Sequence, residues 1–394
     1  MRIVYAHEEP PHSYSKSIFL AGPTPRENTT RSWRPEALRL LAAKGYNGVV
    51  YVPEHPDADF AKYDAAYDYE RTPAWEHKML DRADVILFWI PRDLDRLPGF
   101  TTNIEYGYYA NSGRCVLGAP ENAAKIRYLK TFMAIKASIP HFINLENTID
   151  EALHRIGKGS LRTGGERDVP LNIWRMRAFQ NWYQPQKNAG NRLDGLKVEW
   201  ISPVRNKPDI IFACALRPNV YITNEDRNKI NDPIICRLDI STAVLYRPAE
   251  NFLDTKVVIT KEFRLSGSTE DGFIYELPGG SSGYITDPLE VVVEEISEEV
   301  DLDIARSRFV THGARQLAGT FLTHKANLFS AQLTQSEFEW LESQKGIPHG
   351  ADLDNPTGER VYTEIWTIKQ LLENKLLDAS NVGMILEVLA MSHE

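Results

Sequence analysis

Residues 75–93 read WEHKMLDRADVILFWIPRD, and this stretch decides the fold of the first part of the chain. Residues 75–82 read as a helix. DVILFWI, residues 84–90, then runs apolar on both faces. A strand of that kind has to be covered on both sides, as in a parallel sheet between helices. Outward from it the alternation continues. SIFLA at residues 17–21, closed by Gly22-Pro23, reads as a buried strand and turn. Residues 33–44 set Leu38, Leu40 and Leu41 among charges, the pattern of a half-buried helix. Residues 48–52 are a second apolar run, residues 103–112 read as helix, and RCVLG at 114–118 is another strand. The order implies an α/β doubly wound domain, flavodoxin- or Rossmann-like, over residues 1–150.

Composition narrows the function. With 394 residues, two or three domains are expected. Apolar residues make up 42% and charged residues 25%, the make-up of an ordinary globular chain. A net charge of -9 argues against a chain built to grip nucleic acid. No run approaches the roughly 18–20 apolar residues of a membrane span, and the first residues lack the apolar core of a signal peptide. No nucleic-acid or membrane partner is therefore expected, and the location is read as cytoplasmic. Cys115, Cys214 and Cys236 are odd in number and form no CxxC pair, so they read as buried free thiols.

Residues 151–198 change character. Loop-like basic segments surround Trp174, Phe179, Trp182 and Tyr183, and the stretch reads as a linker or interdomain segment. Residues 199–394 are read as a second domain. Strands dominate at 210–215, 234–246, 256–264, 273–277, 314–323 and 327–333, with helices at 288–300 and 381–391.

One acid stands out in FTTNIEYGYY, residues 100–109. Glu105 follows the strand at 84–90 and its loop, where ligands bind in open α/β sheets. A carboxylate there can attack an anomeric carbon and hold a covalent glycosyl intermediate. The departing base needs a proton, and Glu76 on the preceding helix is the candidate donor. Trp75, Trp89 and Tyr106 offer flat surfaces for stacking. Asn103 is the nearest polar residue for orienting Glu105 or a sugar hydroxyl. The plain alternatives are an acid placed by the helix dipole at Glu105, a solvated residue at Glu76, and a turn residue at Asp84.

SIFLAGPTPR (17–26), YVPE (51–54), WEHKMLDRADVILFWIPRD (75–93) and TTNIEYGYYANSGRCVLG (101–118) occur in this order. Together they resemble the nucleoside 2-deoxyribosyltransferase superfamily over residues 15–145. The resemblance implies Glu105 as nucleophile and Glu76, eight residues before Asp84, at the base, where better-studied members carry Asp. It places Gly22 and Pro23 beside the substrate, with Thr24, Asp84, Trp75 and Tyr106 also at the binding site. Arg26 would pair with a 5′-phosphate if the substrate is a nucleotide. No cofactor is implied for glycosyl transfer. The partners implied are nucleosides or nucleotides and a free nucleobase. A homo-oligomer is expected, since related enzymes share active sites between subunits.

A second motif lies at residues 277–302, LPGGSSGYITDPLEVVVEEISEEVDL. Thr286 or Asp287 can cap a helix with Pro288 at its first position. Glu295, Glu298 and Glu299 then share one face, and three carboxylates so placed invite a hard cation such as Mg2+. A solvated acidic face is the plain alternative. ELPGG, the helix and QLAGTFLTHKANLFSAQL (316–333) resemble a Nudix domain, an α+β fold, with Gly280 opening the box and Glu295, Glu298 and Glu299 as metal ligands. Thr286 replaces the early glutamate, Glu294 the arginine that orders the acids, and Asp301 the late glycine.

The expectation is a nucleotide-metabolism enzyme that cleaves an N-glycosidic bond through Glu105, joined to a domain that binds or hydrolyses a nucleoside diphosphate derivative. A nucleotide N-hydrolase, an NAD glycohydrolase and a non-hydrolytic nucleotide sensor are the alternatives.

Overall fold

The computed structural model describes every residue except 26–28, 57–67, 69, 137–140, 205–206, 351–352, 356–357 and 393–394. The chain is mixed α/β and divides into two units, Met1–Cys236 and Arg237–Glu394.

The first unit is built on strands β1 (Arg2–Tyr5), β2 (Ser17–Ala21), β3 (Val49–Val52), β4 (Val85–Trp89), β5 (Cys115–Gly118) and β6 (His141–Phe142). They form one sheet in the order β1-β3-β2-β4-β5-β6, and every neighbouring pair is parallel. Among the described residues the helices that accompany it are α1 (Arg34–Ala43), α2 (Arg71–Arg82), α3 (Phe100–Tyr109), α4 (Arg127–Lys136) and α5 (Leu145–Ile156). The two-residue period of the strands sends alternate side chains to opposite cores. Phe19, Ile86, Phe88 and Leu117 pack with Trp75 and Met79 of α2 and Tyr106 of α3. Ile18, Leu20, Leu87 and Val116 pack with Ala37 and Leu41 of α1 and Ile149 and Ala152 of α5.

The stretch expected as a linker, 151–198, is instead woven into this unit. The end of α5, a single turn at Leu171–Trp174 and helix α6 (Arg177–Asn188) lie within it. Arg162, wholly buried, ion-pairs with the wholly buried Asp84 at 2.6 Å. The unit then continues through a long antiparallel hairpin, β7 (Arg192–Val204) and β8 (Lys207–Ile222). A Cβ on Gly165 would collide with the backbone of Asp194 and Gly195, so β7 starts flush against the preceding loop. That close packing moves the division between units from residue 199 to residues 236 and 237. Short strands β9 (Arg227–Lys229) and β10 (Ile234–Arg237) complete this sheet.

In the second unit, β11 (Ile240–Arg247), β12 (Lys256–Phe263), β13 (Phe273–Glu276), β14 (Val310–Gln316), β15 (Lys325–Gln332) and β16 (Val361–Thr367) form the long strands of an eight-stranded sheet. Its central pair, β11 and β15, is parallel, and β12 runs antiparallel to β16. The run 234–246, read as one strand, is two, broken at Leu238-Asp239. Helix α7 (Pro288–Val300) places Val292, Ile296 and Val300 against Leu245 and Val258. The Asp287 side chain caps it by accepting from Leu289 N at 3.0 Å, with Pro288 at the first position. Two short helices, α8 (Gln335–Ser343) and α9 (Ile368–Asn374), precede α10 (Ala379–Ser392), which packs Ile385, Val388 and Leu389 against Val244 and Val257.

Among the described residues, no helix is long and apolar enough to cross a membrane. All three cysteines are buried and free.

Candidate active site

The chain leaves β2 toward β3 on one side and returns to β4 on the other. A crevice belongs beyond the carboxyl ends of strands where the order reverses like this. Gly22 ends β2 at φ 152°, and a Cβ there would collide with the Trp89 carbonyl at the end of β4. Only glycine lets this turn lie against β4. The turn is held from beneath by Arg34, 1% exposed at the start of α1. Its Nε donates to the Leu20 carbonyl at 3.0 Å and its Nη2 to the Gly22 carbonyl at 2.8 Å. Its Nη1 reaches the Pro23 carbonyl and the Thr24 hydroxyl, and ion-pairs with Glu54. Trp33 Nε1 donates to the same Pro23 carbonyl at 3.2 Å. Gly22, Pro23 and Thr24 therefore form one rigid rim.

Glu105 on α3 and Glu76 on α2 are both partly buried. Among the described residues no hydrogen-bond donor reaches either carboxyl group. Burial pushes Glu76 up to about 8, and the Glu105 charge adds to the shift, while Arg34 opposes it. Burial pushes Glu105 up to about 7, opposed by the positive charge of Arg34. Both carboxyls are held above the usual range, Glu76 further than Glu105, the direction in which a general acid and a nucleophile divide.

Other expected site residues are placed differently. Asp84 is wholly buried with both oxygens committed: Oδ2 accepts from Ser17 N and Arg162, Oδ1 from Arg162 and Leu171 N. It ties the sheet to residues 162–171 and has nothing left for a substrate. Tyr106 is 0% exposed, edge-on to Phe88 with its hydroxyl on the Leu129 carbonyl, so it cannot stack on a base. Trp75 and Trp89 are also buried, and Trp75 Nε1 donates to the Glu8 carbonyl. The Asn103 side-chain oxygen is taken by Arg92. Two residues on from it, Glu105 lies about 200° round the helix, so Asn103 does not orient Glu105. Arg26 lies outside the described residues.

Sequence reading missed Arg34, Glu54, Arg92 and Arg162. A signal existed for the first: Arg34 sits between a tryptophan and a helix-starting proline, in SWRPE. Glu54 and Arg92 lie within YVPE (51–54) and WEHKMLDRADVILFWIPRD (75–93), but nothing local in the sequence names their partners, and nothing local marks Arg162, whose partner is distant in the chain.

The acids of the second unit make a different arrangement. Glu299 is buried and accepts from Gly279 N at 2.9 Å. Glu295 lies against Gly280, where any Cβ would strike its carboxylate. Burial pushes Glu295 up to about 7 and Glu299 well above the usual range, with neighbouring glutamates adding in both cases. Glu298 and Glu294 point to solvent. A cation is present after all. Arg264 ion-pairs with Glu262 at 2.8 Å, Glu276 at 3.0 Å and Glu359 at 3.3 Å, and its charge lowers Glu295. Asp301 ends α7 at φ 54°, so it keeps the left-handed backbone that the expected glycine adopts freely. As donors, Glu295 and Glu299 fit a hard divalent cation in chemistry, both being oxygen ligands, with no side chain on Gly280 to crowd Glu295. Among the described residues, no group of three or more His, Cys, Asp or Glu is arranged as metal ligands.

Residues 15–123 match a family model described as nucleoside 2-deoxyribosyltransferase like. They are a nucleoside 2-deoxyribosyltransferase-like domain. This transferase-like domain holds the glycine turn, Arg34, Glu76 and Glu105, and its family supports a link to nucleotide metabolism. A comparison with curated proteins finds no match. Among solved structures, "Crystal structure of ADP compounds hydrolase" aligns at 12% identity over 51% of this chain and 95% of that one. Its TM-score is 0.32.

Proposed function

We propose that the transferase-like domain, read as a doubly wound, flavodoxin-like fold, cleaves the N-glycosidic bond of a deoxynucleoside or deoxynucleotide through Glu105. The observation that carries this reading is the carboxyl pair, two partly buried acids on neighbouring helices with no hydrogen-bond donor among the described residues, both raised by burial and Glu76 raised further by the Glu105 charge. The Glu105 carboxylate attacks the anomeric carbon as the bond to the base breaks. The bonding electrons move to the base nitrogen, which takes the proton of Glu76. A glycosyl ester remains on Glu105. An acceptor base then attacks the same carbon, loses its proton to Glu76, and releases Glu105. If water is the acceptor, the same steps make the enzyme an N-hydrolase.

The second unit is read as a Nudix-fold module for a nucleoside diphosphate derivative. Glu295 and Glu299 would hold Mg2+ with Glu298 beside them, and the ion would supply charge neutralisation at a diphosphate. Arg264 takes the ordering role left vacant by Glu294. A homo-oligomer belongs to this reading as well. Phe100, Ile104 and Tyr108 form an apolar stripe on α3, 64%, 71% and 69% exposed, that a second copy would cover. Sedimentation of the wild type against Ile104→Glu checks it: an oligomer is expected for the first and a smaller species for the second.

The activity test is a panel of deoxynucleosides and deoxynucleotides, with and without a free acceptor base, followed by chromatography. Base release that disappears in Glu105→Ala supports the reading, and its dependence on acceptor separates transferase from hydrolase. Release that persists in Glu105→Ala overturns it.

A further inference from the structure

We propose that Arg34 is a positioning residue for Glu105, fixing the turn that packs against the start of α3 and placing a buried positive charge on the Glu105 side of the site. The inference rests on the reading of Glu105 as nucleophile, but it concerns a residue with no part in the chemistry itself.

The geometry is specific. Every nitrogen of the guanidinium is used, and three of its acceptors are carbonyls of one turn, at Leu20, Gly22 and Pro23. That turn touches the nucleophile's helix. Pro23 lies so close to Gly99, the residue before α3, that a Cβ on Gly99 would come within 3.2 Å of the Pro23 ring. Glu54 fixes the guanidinium from the other side and is itself held by the Ser32 hydroxyl, 2.9 Å from both of its oxygens. The Trp33 ring lies 4.9 Å beneath the guanidinium carbon.

A buried ion pair is an expensive way to hold a turn, since apolar packing serves stability as well. What an arginine adds is charge. Arg34 from α1 acts on Glu105, Glu76 from α2 interacts with it, and Glu54 is the ion-pair partner of Arg34. Glu76 opposes ionisation of Glu105, and Arg34 is the group that favours it. Glu54 tempers Arg34 and keeps it folded into the site. Arg34 thus favours the anionic form of the nucleophile against the larger opposing effect of burial.

The test is a titration of the Glu105 carboxyl, followed by carbon NMR in glutamate-labelled full-length protein and assigned with Glu105→Gln. It is run on wild type, Glu54→Gln and the double variant Arg34→Gln/Glu54→Gln. The double variant removes both members of the buried pair, so no uncompensated charge is left to unfold the domain. The expected result is an upward shift of about one pH unit in the double variant, and a downward shift in Glu54→Gln. The acid limb of the base-release rate should move upward with it, so that the double variant loses proportionally more activity at pH 6 than at pH 7.5 while the alkaline limb set by Glu76 stays in place. An unmoved midpoint in the double variant overturns the proposal, as does a loss of rate equal at all pH values. Neither result touches the assignment of Glu105, which Glu105→Ala tests separately.

Discussion

The two acidic sites are opposites in how they handle charge. In the transferase-like domain the arginine binds the turn and Glu54, and among the described residues no donor reaches Glu76 or Glu105. In the second unit Arg264 stands inside the cluster and engages Glu262, Glu276 and Glu359 directly. Uncommitted carboxyls with raised pKa values are poised for proton and bond exchange. Carboxyls tied to a cation, or waiting for one, are poised to hold charge. Asp84 is the limiting case, equally acidic in type but saturated by Arg162 and three other donors, and purely structural.

The largest effect that would break this contrast is at Glu105. Glu105→Gln should lower the rate of base release by about four orders of magnitude, the scale for losing one member of a catalytic set. Glu76→Gln should cost about 10²–10⁴-fold, as loss of a general acid does, and should remove the alkaline fall in the pH profile. That profile sharpens the comparison further. Rate should rise as Glu105 ionises through about 7 and fall as Glu76 loses its proton through about 8, giving a narrow bell.

Asp84→Ala should act through folding alone. Leaving Arg162 buried and unpaired should cost about 3–5 kcal/mol in denaturant unfolding. A variant that stays stable but loses substrate affinity would return Asp84 to the binding site.

The smallest expected effect is in the second unit. Glu295 is raised in the folded state, so the stability it lends is full below the unfolded carboxyl range and lost as pH rises through about 7. Thermal unfolding followed by a signal from this unit should therefore show Glu295→Gln as more stable than wild type at pH 8 and little changed at pH 5. Magnesium should raise the wild-type midpoint at pH 8 and leave that of Glu295→Gln unmoved. Equal magnesium effects on both would remove Glu295 from the metal site.

Much of this arrangement was legible in the sequence where the signal was local. Apolar runs at 17–21, 48–52, 84–90 and 114–118 coincide closely with β2 to β5, and the Asp287-Pro288 start of α7 needed only capping chemistry. Glu105 and Glu76 stood out by type and spacing. What stayed hidden depends on distant partners. Residues 151–198 looked like a linker because polar, basic composition does not show that Arg162 pairs with Asp84, 78 residues away. Arg264 could not be matched to α7 from sequence, since a strand and a helix meet there only after folding. Tyr106 looked available for stacking because helical position does not say which face turns inward.

The central claim is tested most directly by quenching the protein during turnover of a deoxynucleoside or deoxynucleotide and mapping the digested peptides by mass spectrometry. The account predicts a glycosyl adduct on the peptide that contains Glu105, absent in Glu105→Gln. Turnover with no adduct on that peptide, at an undiminished rate in Glu105→Gln, would contradict it.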